Sequence, residues 1–194
     1  MKVAGFSFIR NAIMYDYPIV EALQSILPLC DEIYVAVGNS EDNTLSIIQN
    51  IHPQKIQIIP TIWDDSLREG GKVLALETNK AFQAIPLDYD WCFYIQGDEV
   101  FHENGLNPMY DLMKKELNRP QVEGLLVNYL HHYGSYDYIA TSRNWYRREI
   151  RVIRNNKSII SWKDAQGFRW KKSTKTKSQT LSYYYASLWL GKKP

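Results

Sequence analysis

Four short runs of apolar, β-favouring residues, Val3–Ile9, 32–37 (EIYVAV), 56–59 (IQII) and 91–95 (WCFYI), are separated by stretches whose apolar residues recur at helical spacing. This alternation constrains the fold more than any other feature of the chain. After the first run, Ile19, Leu23, Ile26 and Leu27 fall on one helical face, with Pro18 suited to the first turn. Thr44–Ile51 reads as a second helix and 72–85 as a third, its turns marked by Val73, Leu76, Lys80 and Gln83. Strands alternating with helices through short connections require a mostly parallel central sheet with helices on both faces. The expected class is therefore α/β and Rossmann-like. The run 91–95, apolar throughout, belongs near the middle of the sheet.

Sheets of this kind bind ligands beyond the carboxyl ends of their strands. The polar clusters fall there: Arg10-Asn11, the loop 38–43 (GNSEDN), and Gln96-Gly97-Asp98-Glu99. Acidic side chains at the end of a central strand can hold a divalent cation between protein and ligand phosphate, because hard cations take oxygen ligands and retain phosphate oxygens or waters. Gly97 would let the backbone come close to such a ligand. Taken alone, Asp98 and Glu99 are read equally well as the start of a turn.

Other phosphate-binding patterns are missing from the sequence. Gly5 stands alone where a dinucleotide fingerprint would need three glycines. Gly71-Lys72 resembles the end of a Walker motif, but Ser66 holds the position of its first glycine and Val73 follows the lysine. His52, His102, His131 and His132 have no spacing that suits a protein-only zinc site.

The 194 residues suit one domain, 1–194, but the charge is unevenly spread. Residues 1–120 carry 9 basic and 17 acidic side chains, a net of −8, whereas 121–194 carry 14 and 4, a net of +10. The second half attracts anions; a diphosphate, an acidic lipid surface and nucleic acid all satisfy that charge. No recognised RNA-binding signature accompanies it, so nucleic acid is not expected. No apolar run approaches the roughly 20 residues of a membrane span. The apolar stretch after Lys2 is cut short by Arg10 and Asn11 without a cleavage site, and reads as a first strand. Cys30 and Cys92 read as buried thiols, and a cytoplasmic location is expected.

Beyond residue 104 the pattern is less regular. Residues 106–117 read as a helix, 124–129 as a strand, and 151–153 with 158–162 as a hairpin across Asn155-Asn156-Lys157. Residues 129–146 are dense in tyrosine and histidine, and 171–194 receive no element.

The ordered series Phe8-Ile9-Arg10-Asn11, Gly38-Asn39-Ser40-Glu41-Asp42-Asn43-Thr44, Gly71-Lys72 through Thr78-Asn79-Lys80-Ala81, and 91–99 resembles the family 2 glycosyltransferases of GT-A fold over roughly the first half of the chain. In that family the second loop has the sense of Asp-Asp-Gly-Ser-Thr-Asp-Gly-Thr, and the strand before the metal ends in Asp-x-Asp. Here Ser40, Asp42 and Thr44 match, while Val37 and Gly38 replace the leading aspartates. Gln96 replaces the first acid of the metal motif and Asp98 retains the second.

The resemblance implies transfer of a sugar from a nucleotide-diphosphate-sugar donor, with inversion, to a carbohydrate or lipid-linked acceptor, with peripheral membrane association admitted. It implies that Asp98 holds Mg²⁺ or Mn²⁺ against the donor diphosphate and that Phe8, Ile9 and Arg10 line the base pocket. Asn11, Gly38, Ser40, Asp42, Lys72, Asn79, Gln96 and Gly97 complete the donor site. Residues 1–104 would then form the nucleotide-sugar half and 105–194 the acceptor half.

The aromatic and polar mixture of 129–146 and 161–170 suits a carbohydrate acceptor, although core packing explains most such aromatics equally well. Asp164 is the preferred general base and Glu149 the alternative. Two further readings stand beside the transferase: a sugar nucleotidyltransferase, and an inactive sugar- or nucleotide-binding protein of the same fold.

Overall fold

The computed structural model describes residues 1–67, 69–142, 145–165, 167–171 and 183–192; residue 69 and the last of these segments are described as backbone. The first four strands are β1 (Val3–Ile9), β2 (Glu32–Gly38), β3 (Ile56–Thr61) and β4 (Trp91–Tyr94). They are all parallel, in the order β3-β2-β1-β4. The helices α1 (Ile19–Ile26), α2 (Thr44–Ile51) and α3 (Lys72–Ala84) connect them.

Strand alternation sorts the side chains onto two faces. Val3 and Ile9 of β1, Ile33, Val35 and Val37 of β2, and Trp91 and Phe93 of β4 share one core with α1, α2 and the later helix α4 (Leu106–Glu116). Ala4, Phe6 and Phe8, Tyr34 and Ala36, and Cys92 and Tyr94 share the other with Ala81 and Phe82 of α3. Each face of the parallel half is therefore covered by helices, as the uninterrupted apolar runs require.

Helix α3 departs from its expected face. Leu76 is 39% exposed, whereas Glu77, Thr78, Ala81 and Phe82 are buried. Two polar residues occupy inward positions because each finds a partner: Thr78 Oγ1 lies 3.2 Å from the Tyr94 hydroxyl, and Glu77 pairs with Lys80 at 2.6 Å.

Beyond β4 the sheet is mixed. It continues through β8 (Arg148–Arg154), β6 (Gly124–Tyr133) and β11 (Tyr183–Lys192) to β5 (Glu99–Phe101), with β7 (Ser135–Ile139) paired to β6. The hairpin expected between 151–153 and 158–162 is not formed. Strand β8 is drawn into the main sheet between β4 and β6, while β9 (Ile159–Trp162) pairs with β10 (Gly167–Trp170) in a separate two-stranded sheet.

The β9–β10 hairpin is anchored over α3. Phe168 meets Tyr94 edge-on at 5.3 Å and Phe6 at 5.9 Å, contacts each worth about 0.5–1.5 kcal/mol beyond area burial. Asn79 adds a polar clamp: Ser161 N donates to its Oδ1 at 2.8 Å and its Nδ2 donates to Ser161 O at 3.2 Å. Among the described residues no helix is long and apolar enough to cross a membrane.

Candidate functional site

At the carboxyl ends of β1 and β4 lies a cavity of about 640 Å³, within the range of small-molecule sites. Phe8, Ile9, Arg10 and Asn11 from the end of β1 line it, together with Gln96, Gly97 and Asp98 from the end of β4. Asp164, from the turn between β9 and β10, lines it as well. Four segments expected to serve one site therefore meet, with Gly71 contributed by the start of α3.

One wall is aromatic and cationic. Trp63 packs against Gly38 so closely that a Cβ there would stand 2.5 Å from its indole nitrogen. The Phe8 ring lies 6.0 Å from Trp63, and the Arg10 guanidinium 5.9 Å from it. Asp65 holds Arg10 by an ion pair of 3.0 Å. Gly38 thus shapes the site indirectly, by admitting an indole, and does not itself line the cavity.

Glu41 of the second loop lines the cavity, whereas its neighbours Ser40 and Asp42 act at one remove. Asn11 has a left-handed φ of 54°, a conformation asparagine tolerates better than most residues. The Ser40 hydroxyl accepts from its backbone N–H at 3.0 Å, and its Oδ1 accepts from Glu41 N at 2.8 Å. Asp42 accepts from Met14 N at 2.9 Å and Thr44 N at 2.9 Å, and from the Thr44 hydroxyl. Burial opposes ionisation of Asp42, but these hydrogen bonds outweigh it and hold its carboxyl below the usual carboxylate range. Ser40 and Asp42 fasten the loop that follows β1, and neither lines the cavity.

Two other expected donor residues lie elsewhere. Lys72 is exposed at the first position of α3 and is not among the lining residues. Asn79 is committed to Ser161, as described above. Gly97 lines the cavity, but the hydrogen in place of its side chain faces protein: a Cβ would lie 2.7 Å from Ile9 Cδ1. Its lack of a side chain serves packing, not the approach of a ligand. Glu149 of β8 stands beside Gly167, 3.8 Å from where that glycine's Cβ would be, and does not line the cavity. Gln166 lies outside the described residues.

Beneath the β4 end is a buried ion pair that the sequence reading missed. Glu99 and Arg151 are both fully buried and meet at 2.8 Å (Nη2 to Oε1) and 3.0 Å (Nε to Oε2). Tyr129 donates to Glu99 Oε1 at 2.5 Å, and Gln96 N donates to Oε2 at 3.1 Å. The guanidinium sits 5.1 Å from the ring centres of both Tyr94 and Tyr129. Burial opposes the arginine's charge, but the Glu99 carboxylate prevails and holds the proton on. Burial raises both tyrosine hydroxyls as well, so they stay neutral donors. Glu99 is consequently a structural acid under the loop; it does not open a turn beside Asp98.

Trp63, Asp65, Tyr15 and Tyr17 also line the cavity without having been singled out in the sequence as site residues. The available signal was three large aromatics in otherwise polar loops, of which Tyr15 is 60% and Tyr17 41% exposed.

Among the described residues no group of three or more His, Cys, Asp or Glu could hold a metal ion by itself. Asp98, which lines the cavity, is a carboxylate of the kind that a cation such as Mg²⁺ takes beside phosphate and water oxygens.

The mostly parallel central sheet flanked by helices gives the chain a GT-A-like α/β fold. Two solved structures of TarS from S. aureus share it. The chain matches TarS with a TM-score of 0.55 at 14% identity, over 97% of this chain and 37% of that one. It matches TarS 1-349 in complex with UDP-GlcNAc with a TM-score of 0.56 at 15% identity, over 96% of this chain and 58% of that one. The chain thus spans between about a third and three fifths of the TarS chains it matches. No protein-family model and no curated protein matches the sequence.

Proposed function

We propose that the protein is a family 2-like glycosyltransferase that moves a sugar from a nucleotide-diphosphate-sugar to an acceptor hydroxyl, inverting the anomeric carbon. The observation that carries this reading is the convergence of Asp98, Asp164 and the Phe8-Trp63-Arg10 wall on one cavity of about 640 Å³ at the carboxyl ends of β1 and β4. The TarS structure with UDP-GlcNAc supports a donor of that chemical kind.

In this reading the base of the nucleotide lies against Phe8 and Trp63, and Arg10 offers charge to its phosphates. Asp98 would hold Mg²⁺ or Mn²⁺, which supplies charge neutralisation for the departing diphosphate when bound. Asp164 accepts the proton of the acceptor hydroxyl as its oxygen attacks the anomeric carbon and the bond to the diphosphate breaks. The acceptor is a carbohydrate or lipid-linked acceptor whose hydroxyl meets Asp164 in the cavity.

The test is a thermal-shift titration of nucleoside diphosphates, with and without Mn²⁺, on the wild type and on Asp98→Asn. A ligand at a hundred times its Kd stabilises by about 2.7 kcal/mol, which for a chain of this size is roughly 5–10 °C. A shift that requires Mn²⁺ and vanishes in Asp98→Asn supports the reading. No shift with any nucleoside diphosphate overturns it in favour of an inactive protein of the same fold.

A further inference from the structure

The turn that carries Asp164 is held in a conformation its own residues do not favour. Lys163 and Ala165 both have left-handed φ, 55° and 65°, which residues with a Cβ adopt only when the surroundings impose it. Gly71, itself at φ 68°, lies against the turn, where a Cβ would stand 2.7 Å from Asp164 Cβ and 2.8 Å from its Cα. Although it sits in a connection between two strands, Ala165 is fully buried.

What engages the turn from the cavity side is Gln96. Its Nε2 donates to the Ala165 carbonyl at 3.1 Å and to the Tyr94 hydroxyl at 3.2 Å. The Tyr94 hydroxyl in turn lies 3.2 Å from Thr78 Oγ1 of α3. A backbone carbonyl can only accept, so the amide nitrogen has to face the turn. A carboxylate at position 96 could not make this bond. The end of β4 is fixed from below as well, because Gln96 N donates to the buried Glu99.

We propose that Gln96 is a positioning residue, a latch that holds the Asp164 turn closed over the cavity through Ala165. The side chain two positions before Asp98 is then spent on the turn, and a neutral amide donor is what the position demands. The catalytic consequence rests on the reading of Asp164 as proton acceptor; the latch itself does not.

The experiment uses the full chain with Gln96→Met, which keeps length and loses the donor, and Gln96→Glu, which keeps shape and offers only acceptors when ionised. Amide hydrogen exchange at residues 163–165 should rise on the order of tenfold in both, with exchange in β1 and β4 unchanged. Transfer should lose roughly 10²-fold in kcat, the scale of a small misplacement of a reacting group, with the KM for donor nearly unchanged. Asp164→Asn should lower kcat without raising exchange, and adding Gln96→Met to it should lower kcat no further, because Gln96 acts through Asp164.

Unchanged exchange at 163–165 in both variants overturns the proposal, and so does a rise spread evenly over the sheet. A double mutant that loses the full additional factor overturns the catalytic part. Local exchange that rises as expected, in a protein that turns over no nucleotide-sugar, establishes the latch and refutes the transferase reading instead.

Discussion

Replacing Glu99 by glutamine tests whether the buried ion pair beneath the β4 end is a supporting element of the sheet. Glu99 and Arg151 are both 0% exposed, and the carboxylate receives Tyr129 and Arg151 Nη2 on one oxygen and Arg151 Nε and Gln96 N on the other. Either orientation of the new amide therefore turns an NH₂ toward two donors and leaves the guanidinium buried without its counter-charge. Breaking one side of such a pair costs about 3–5 kcal/mol, against a total stability for ordinary domains of about 5–15 kcal/mol.

At roughly 2–4 °C per kcal/mol for a chain of this length, Glu99→Gln should lower the melting temperature by roughly 6–20 °C, with a matching drop in the urea midpoint. The double replacement Glu99→Leu with Arg151→Met should recover part of that loss, since it removes the stranded charge but leaves the Tyr129 hydroxyl and the Gln96 N–H without their acceptor. Thermal and urea unfolding followed by circular dichroism read both. A loss below about 1 kcal/mol in Glu99→Gln, the scale of an exposed pair, would refute the reasoning, as would a double mutant no more stable than the single one.

Two further outcomes follow from the geometry. Gly71→Ala puts a Cβ at φ 68° and 2.7 Å from Asp164 Cβ; it should cost about 1–3 kcal/mol and push the 163–165 turn outward, which calorimetry and amide exchange would detect. Glu32 accepts from the Tyr34 and Tyr89 hydroxyls at 2.6 and 2.7 Å, and those bonds, Tyr34's first, hold its carboxyl below the ordinary glutamate value. Its stabilisation is present above an unfolded pKa of about 4.3 and is lost as pH falls through the lower folded value. Wild type should therefore lose stability faster than Glu32→Gln on acidification below that point, and equal acid slopes in melts across pH 5 to 2 would contradict this.

The parallel half of the fold was legible because local pattern determines it. Runs such as VAGFSFI and WCFYI could only be strands buried on both faces, and the helices between them carried their own periodicity. The convergence of Arg10, Asn11, Gln96, Gly97 and Asp98 followed from the rule that parallel strands present their carboxyl ends together. What local pattern does not encode is pairing at a distance. Sequence proximity pairs β8 with the segment that follows it, but the sheet offers it β4 and β6, whose paired residues lie about twenty to sixty positions away. For the same reason Arg151 and Glu99, 52 residues apart, each looked like an ordinary charge. Gln96 showed as a substituted acid in the sequence; its hydrogen bond to Ala165 became visible only once the β9–β10 hairpin was in place.

The position of β11 has a kinetic consequence. Residues 183–192 lie between β6 and β5, parallel to the first and antiparallel to the second. During synthesis, β5 emerges more than eighty residues before the strand it pairs with, and β6 more than fifty. Until β11 leaves the ribosome, β5 lacks its strand partner and one side of β6 presents unpaired backbone, the kind of edge that recruits other chains. The nascent protein thus has a vulnerable interval that ends only when this late segment threads into place. Slowing translation just before residue 183 should lengthen that interval and raise the aggregated fraction without altering the finished fold.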